Sequence, residues 1–207
     1  MRKIWLAVIA LAAGAAGLCA ALPAEAEEAP TVTPQDHVLG KADAPVTIIE
    51  YGSLTCPHCA DFERVTFPKI KAAWIDSGKA KFVFRDFPLD RAALQAAMLA
   101  QCAPPEKYYI FIETLFGSQA TWARAGNTKA ALGGIAKLGG ISDEQFAKCL
   151  DDQQLMQSVV GTETTARDQY GVESTPTFFV NGVKMDPNGA QPFEVFDRVL
   201  TSAAPKS

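Results

Sequence analysis

The run Val46-Thr47-Ile48-Ile49-Glu50-Tyr51-Gly52-Ser53-Leu54-Thr55-Cys56-Pro57-His58-Cys59 decides the fold. Its first six residues are mostly β-branched and apolar, which predicts a strand buried on both faces. Gly52-Ser53 breaks the run. From Pro57 onward Cys59, Phe62, Val65, Ile70 and Trp74 recur at mostly three- to five-residue steps, the spacing of a helix that Gly78 closes. Pro68 lies inside that helix and predicts a kink, because it has no N–H for the ladder. Ala80 to Phe87 reads as a second strand, so strand, helix and strand form a parallel pair with a right-handed crossover.

The two cysteines fall where the strand ends and the helix begins. There the backbone N–H groups and the helix dipole favour negative charge, so Cys56 is expected to be a thiolate near neutral pH. Cys59, three residues on and less exposed, becomes the resolving sulfur. Pro57 suits the first helical position, since an N–H there would have no partner. His58 is expected to favour the thiolate through its imidazole. Each pKa unit of that preference is worth about 1.4 kcal/mol toward the reduced pair, and a pair whose reduced form is stabilised oxidises others. A zinc clip needs two further ligands, and the other histidine, His37, is remote in sequence. Glu50, set among Val46, Ile48 and Ile49, is expected to be buried with a raised pKa and to relay a proton to Cys59.

Working outward, Arg2 and Lys3 precede an apolar stretch from Ile4 to Leu22 that ends in Pro23-Ala24-Glu25-Ala26, which predicts a cleaved secretory signal over residues 1–26. The remaining 181 residues carry 17 Lys and Arg against 22 Asp and Glu, an acidic balance that does not suggest a nucleic-acid partner or an anionic membrane surface. Four of the five cysteines remain, and an even number in an exported chain argues for a close pair and a distant pair, Cys102 with Cys149. Residues 27–45 read as an extended arm. Helical patterns follow at about 89–103, 105–117, 127–139, 142–150 and 153–170, broken at Pro104-Pro105 and Gly139-Gly140. Thr177 to Asn181 and Val183 to Met185 read as a hairpin turning at Asn181-Gly182, and Gln191 to Thr201 as a closing amphipathic helix. The domain expected over 27–207 is therefore α/β, with a helical insertion over about 89–170.

A second chemical element is Thr175-Pro176-Thr177-Phe178-Phe179-Val180-Asn181-Gly182. A proline at a strand's first residue is unremarkable. A cis Thr175-Pro176 bond would instead leave the Thr175 backbone free to take an extended peptide as an added strand.

With Cys56-Pro57-His58-Cys59 after a Val/Ile strand, Phe87-Pro88-Leu89 entering a helical insertion, and the Thr175 to Gly182 run before the last strands, the chain resembles the DsbA-type thiol:disulfide oxidoreductases of the thioredoxin superfamily. The resemblance implies a thioredoxin fold interrupted by helices, with a cis Thr175-Pro176 packed against the cysteine pair and Glu50 as the buried acid. No cofactor is implied beyond the Cys56-Cys59 disulfide, and no metal. It also implies a monomer in the periplasm, reduced or unfolded exported proteins as clients, and a DsbB-like quinone-linked membrane reoxidant. Thr175 departs from the valine of the best-known enterobacterial members, and Cys102 and Cys149 are additional. A Cys102–Cys149 bond spanning 47 residues would contribute about 4 kcal/mol of loop-closure entropy; a regulatory disulfide is the other reading. Rival functions are a disulfide isomerase or reductase of the same fold, a non-catalytic metal-binding protein, and a redox-dead chaperone.

Overall fold

A computed structural model describes residues 29–205; the expected leader over 1–26 lies outside them. Five strands form one sheet in the order β1-β3-β2-β4-β5: β1 Val38–Leu39, β2 Val46–Gly52, β3 Ala80–Asp86, β4 Thr177–Val180 and β5 Val183–Lys184. Among the described residues only β2 and β3 run parallel, with Ile48 opposite Phe82 and Gly52 opposite Asp86. β4 lies antiparallel on the other side of β2, with Glu50 opposite Phe178. Asn181 and Gly182 both take positive φ, 48° and 81°, as a two-residue hairpin turn requires, so Asn181 belongs to the turn and not to the strand.

Side chains alternate across the central strands. Val46, Ile48, Phe82, Phe84, Phe178 and Val180 enter the larger core, while Ile49, Tyr51, Val83 and Phe179 pack beneath Ala166 and Val172. Both faces of β2 are covered, which is why its sequence is apolar almost throughout.

The connection from β2 to β3 is helical over 57–75. It consists of α1 Pro57–Asp61, a π-helical turn Phe62–Thr66, α2 Phe67–Ile70 and a second π-helical turn Lys71–Ile75. The disruption expected at Pro68 therefore appears as two wide turns flanking it, which absorb the missing donor without ending the helix. Phe62 packs against Phe178 and Phe196 with ring centroids at 4.6 and 5.3 Å, locking α1 to β4 and to the last helix. Removing such a ring costs about 3–5 kcal/mol.

The insertion comprises α3 Arg91–Gln101, α4 Tyr108–Gly117, α5 Gln119–Trp122, α6 Thr128–Leu138, α7 Asp143–Asp151 and α8 Gln153–Tyr170; α9 Phe193–Ala203 closes the chain. A capping box between Ser142 and Gln145 starts α7. Gly171 ends α8 in the left-handed region at φ 59°, where a side chain would be disfavoured. Among the described residues no helix is long and apolar enough to cross a membrane.

The arm differs from its reading as simply extended. Val38–Leu39 pairs antiparallel with β3, adding an edge strand. Arg85 holds the arm in place, donating to both oxygens of Asp36 at 2.9 and 2.7 Å and to the Tyr51 hydroxyl at 2.7 Å. Two residues are too short a run to show a period, so this strand left no pattern in the sequence.

Candidate active site

β2 delivers Cys56 to the start of α1, where it serves as N-cap with an extended backbone and Pro57 at the first helical position. The Cys56 N–H donates to Ser53 O at 3.0 Å, closing the turn that carries the sulfur. A hydrogen bond from the Cys59 thiol, with others from the Thr175 side chain and from the Cys59 and His58 backbone, outweighs burial and takes Cys56 from its ordinary 9.0 down to about 5. Cys59 moves the opposite way: burial, then its bond to Cys56, then the charge of Glu50 hold its proton on. Two sulfurs three residues apart thus have opposite acidities. The outer sulfur is the one that ionises readily, and the inner one keeps its proton.

His58 contributes by a different route from the one expected. Its ring is exposed, and the bond it gives Cys56 comes from its backbone amide. The orphan donors of a helix's first turn all point at the N-cap residue, so sequence position alone places that amide.

Thr175 approaches from the loop before β4. The Thr175-Pro176 bond is cis, and the Cys56 thiol donates to Thr175 O at 3.3 Å. The Thr175 hydroxyl is buried with no hydrogen-bond partner, so its donor is free to serve the ionised sulfur. Pro176 is buried behind it.

Glu50 sits on β2, 1% exposed, with Oε1 lacking any hydrogen-bond partner. Burial, reinforced by the charges of Glu63 and Cys56, raises its pKa well above the carboxylate range. Burial therefore favours the protonated carboxyl over the carboxylate. Gly52 makes room for it: a Cβ there would stand 2.4 Å from the Phe84 ring and 2.9 Å from Glu50 Oε1.

Cys102 and Cys149 are joined by a disulfide between the ends of α3 and α7, away from this turn in the chain. His37, weighed above as a possible metal ligand, instead stacks on Tyr108 at 3.8 Å and meets Gln101 Oε1 at 3.2 Å. Among the described residues no group of three or more His, Cys, Asp or Glu side chains is arranged to hold a metal ion.

Two polar residues that the sequence reading did not single out hold the turn from outside. Asp90 caps α3 through Ala93 N at 2.8 Å and accepts from the Thr55 hydroxyl at 2.8 Å. An aspartate just before a helical pattern is its signal; the pattern expected from about 89 includes the cap, whereas the helix starts at Arg91. Gln119 donates to Leu54 O at 2.8 Å and to Cys56 O at 3.0 Å. A glutamine that bonds distant carbonyls leaves no local pattern.

Comparison with known proteins bears on the fold and the family. The Thioredoxin family model matches residues 32–200. A putative protein-disulfide oxidoreductase of Rickettsia bellii is 32% identical over 152 residues, 73% of this chain and 59% of that protein, so the chain spans little more than half the length of such curated relatives. Disulfide bond formation protein D of Bacillus subtilis is 32% identical over 148 residues, covering 70% of this chain and 67% of that protein. The crystal structure of Wolbachia pipientis alpha-DsbA1 superposes with a TM-score of 0.77 at 35% identity, over 83% of this chain and 92% of that one. Oxidised BdbD from Bacillus subtilis gives 0.76 at 27% identity, over 86% and 96%. On a family match reaching from the arm to α9, the chain belongs to the thioredoxin family and, within it, to the DsbA-type disulfide oxidoreductases.

Proposed function

We propose that the protein oxidises pairs of cysteines in exported client proteins, passing them the Cys56–Cys59 disulfide in the periplasm. The observation that carries this reading is the opposed acidity of the two sulfurs: Cys56 at about 5, Cys59 raised. A pair that is stable as thiolate plus thiol gives up its disulfide readily.

The steps follow from the residues present. A client thiolate attacks Cys56 Sγ of the oxidised pair, forming a mixed disulfide and releasing the Cys59 sulfur with the bond's electron pair. Cys59 cannot remain ionised where it is buried, and Glu50 supplies its proton. The client's second thiolate then attacks its own bridged sulfur. Cys56 leaves as the stabilised thiolate, and the client has lost two electrons to the pair. Thr175 O, already against the sulfur, is placed to accept a backbone N–H from a client chain laid alongside. Solvent reprotonates Glu50, and a DsbB-like quinone-linked membrane partner restores the disulfide.

Equilibration of the pair with glutathione tests the direction of transfer. The expected potential is strongly oxidising, near that of the oxidase-type members of the superfamily. A value as reducing as thioredoxin's, about −270 mV, would remove the oxidase reading. Rescue of a scrambled, mispaired client is the second measurement: efficient rescue would favour an isomerase.

A further inference from the structure

The helical insertion reaches the backbone of Cys56 through Gln119. Gln119 opens α5, whose Trp122 is buried and fixed by its indole N–H to Leu115 O at 2.7 Å, so the short helix is anchored in the insertion. From there Gln119 Nε2 spans the seam to two carbonyls of the active-site turn, Leu54 O and Cys56 O. Leu54 is 1% exposed, so its carbonyl has little access to water. Cys56 O also accepts from Ala60 N at 3.2 Å, the bond that opens α1.

We infer that Gln119 is a positioning residue for disulfide exchange, setting the conformation of the Cys56 turn and the electrostatic potential at its sulfur from the insertion side. Two effects follow from the geometry. The forked contact holds the Leu54–Thr55 and Cys56–Pro57 peptide planes, and between them the extended backbone of Cys56. It also places an N–H donor against two carbonyl oxygens of the turn that carries the Cys56 sulfur, partly neutralising their negative ends. Loss of the donor disfavours the thiolate, and with it the reduced pair. Nothing in the thioredoxin half of the chain supplies these bonds, so the insertion takes part in setting the chemistry of a site that the β2–α1 junction carries.

The inference rests on the exchange reading of Cys56 and Cys59, and three variants of the full chain test it. Gln119→Ala removes both bonds. Gln119→Lys keeps a donor and adds positive charge, and Gln119→Glu turns a carboxylate toward the two carbonyls. The readouts are the pH midpoint of Cys56 ionisation, followed by thiolate absorbance, and the equilibrium constant against glutathione.

The expected midpoints rise in the order Lys, Gln, Ala, Glu. The Ala variant should show roughly a two- to tenfold shift of the glutathione equilibrium toward the disulfide, the range commanded by one hydrogen bond. A purely structural role would lower the melting temperature of Gln119→Ala and leave both readouts at the wild-type value; that result overturns the inference. Should the Ala variant fail to fold, the Lys and Glu variants decide: equal midpoints contradict the inference, and a higher one for Glu supports it. A wild-type midpoint near 9 would sink the exchange reading itself, which separates the two failures.

Discussion

The described residues hold two cysteine pairs, and the fold gives them opposite surroundings. Cys56 and Cys59 sit three residues apart at a strand-to-helix junction, with a ring of donors around the outer sulfur and low polarity around the inner one. Cys102 and Cys149 are 47 residues apart in sequence and tie the ends of two insertion helices together. The first pair closes a loop too short to constrain the unfolded chain much, so its bond adds little stability and is available for transfer. The second closes a long loop, and its Cys149 is buried. On the proposed reading the same covalent bond is a reagent in one place and a staple in the other, and the difference lies in the donors around Cys56 and in loop length.

The contrast breaks most sharply at Cys56. Cys56→Ser should abolish client oxidation, a loss of more than about 10³-fold, because no other sulfur in the turn is ionised at neutral pH. Retention of activity, measured as disulfide formation in a reduced client, would mean that the second pair can act as reagent. Glu50→Gln should slow formation and release of the mixed disulfide roughly tenfold or more, with Cys59 deprived of its proton donor. Rapid-quench trapping of the intermediate would read this, and wild-type rates would place the proton source elsewhere.

The pH dependence has a definite sign. The folded reduced protein holds Cys56 at about 5 against an ordinary 9.0, so the thiolate's contribution is complete above 9 and is lost as pH falls through 5. Alkylation of Cys56 should therefore be level from pH 7 to 6 and fall about tenfold by pH 4, after correction for the reagent. A rate still rising steeply between pH 7 and 9 would contradict the assignment. Replacing Cys102 and Cys149 together by serine should lower the melting temperature by roughly 10 °C, since a loop of that length is worth about 4 kcal/mol, and leave the exchange rate within about twofold. An unchanged melting temperature would sink the staple reading; a large change in rate would make the second pair a regulator.

Much of this was legible in the sequence because it depends on local rules. The β-branched run of β2, the helix start at Pro57 and the Asn181-Gly182 turn each obey a short-range constraint, and each lies within a residue or two of its expected place. Glu50 was legible as a carboxylate in an apolar strand. What escaped depends on contacts between distant segments. Val38–Leu39 becomes a strand because Arg85 and β3 hold the arm. His58 serves Cys56 through its amide, which any residue at that position would offer. Gln119 reaches across 63 residues of sequence to a backbone oxygen, and nothing in its neighbours announces that.

The central claim is that Cys56 is ionised at physiological pH while Cys59 is not, and that this asymmetry makes the disulfide transferable. Absorbance at 240 nm of the reduced protein, titrated with the Cys102–Cys149 bond intact and corrected by the oxidised form, reads it directly. A single thiolate appearing with a midpoint near 5, and no second one before the protein unfolds in alkali, is the predicted result. A midpoint near 9, or two thiolates ionising together, would contradict it.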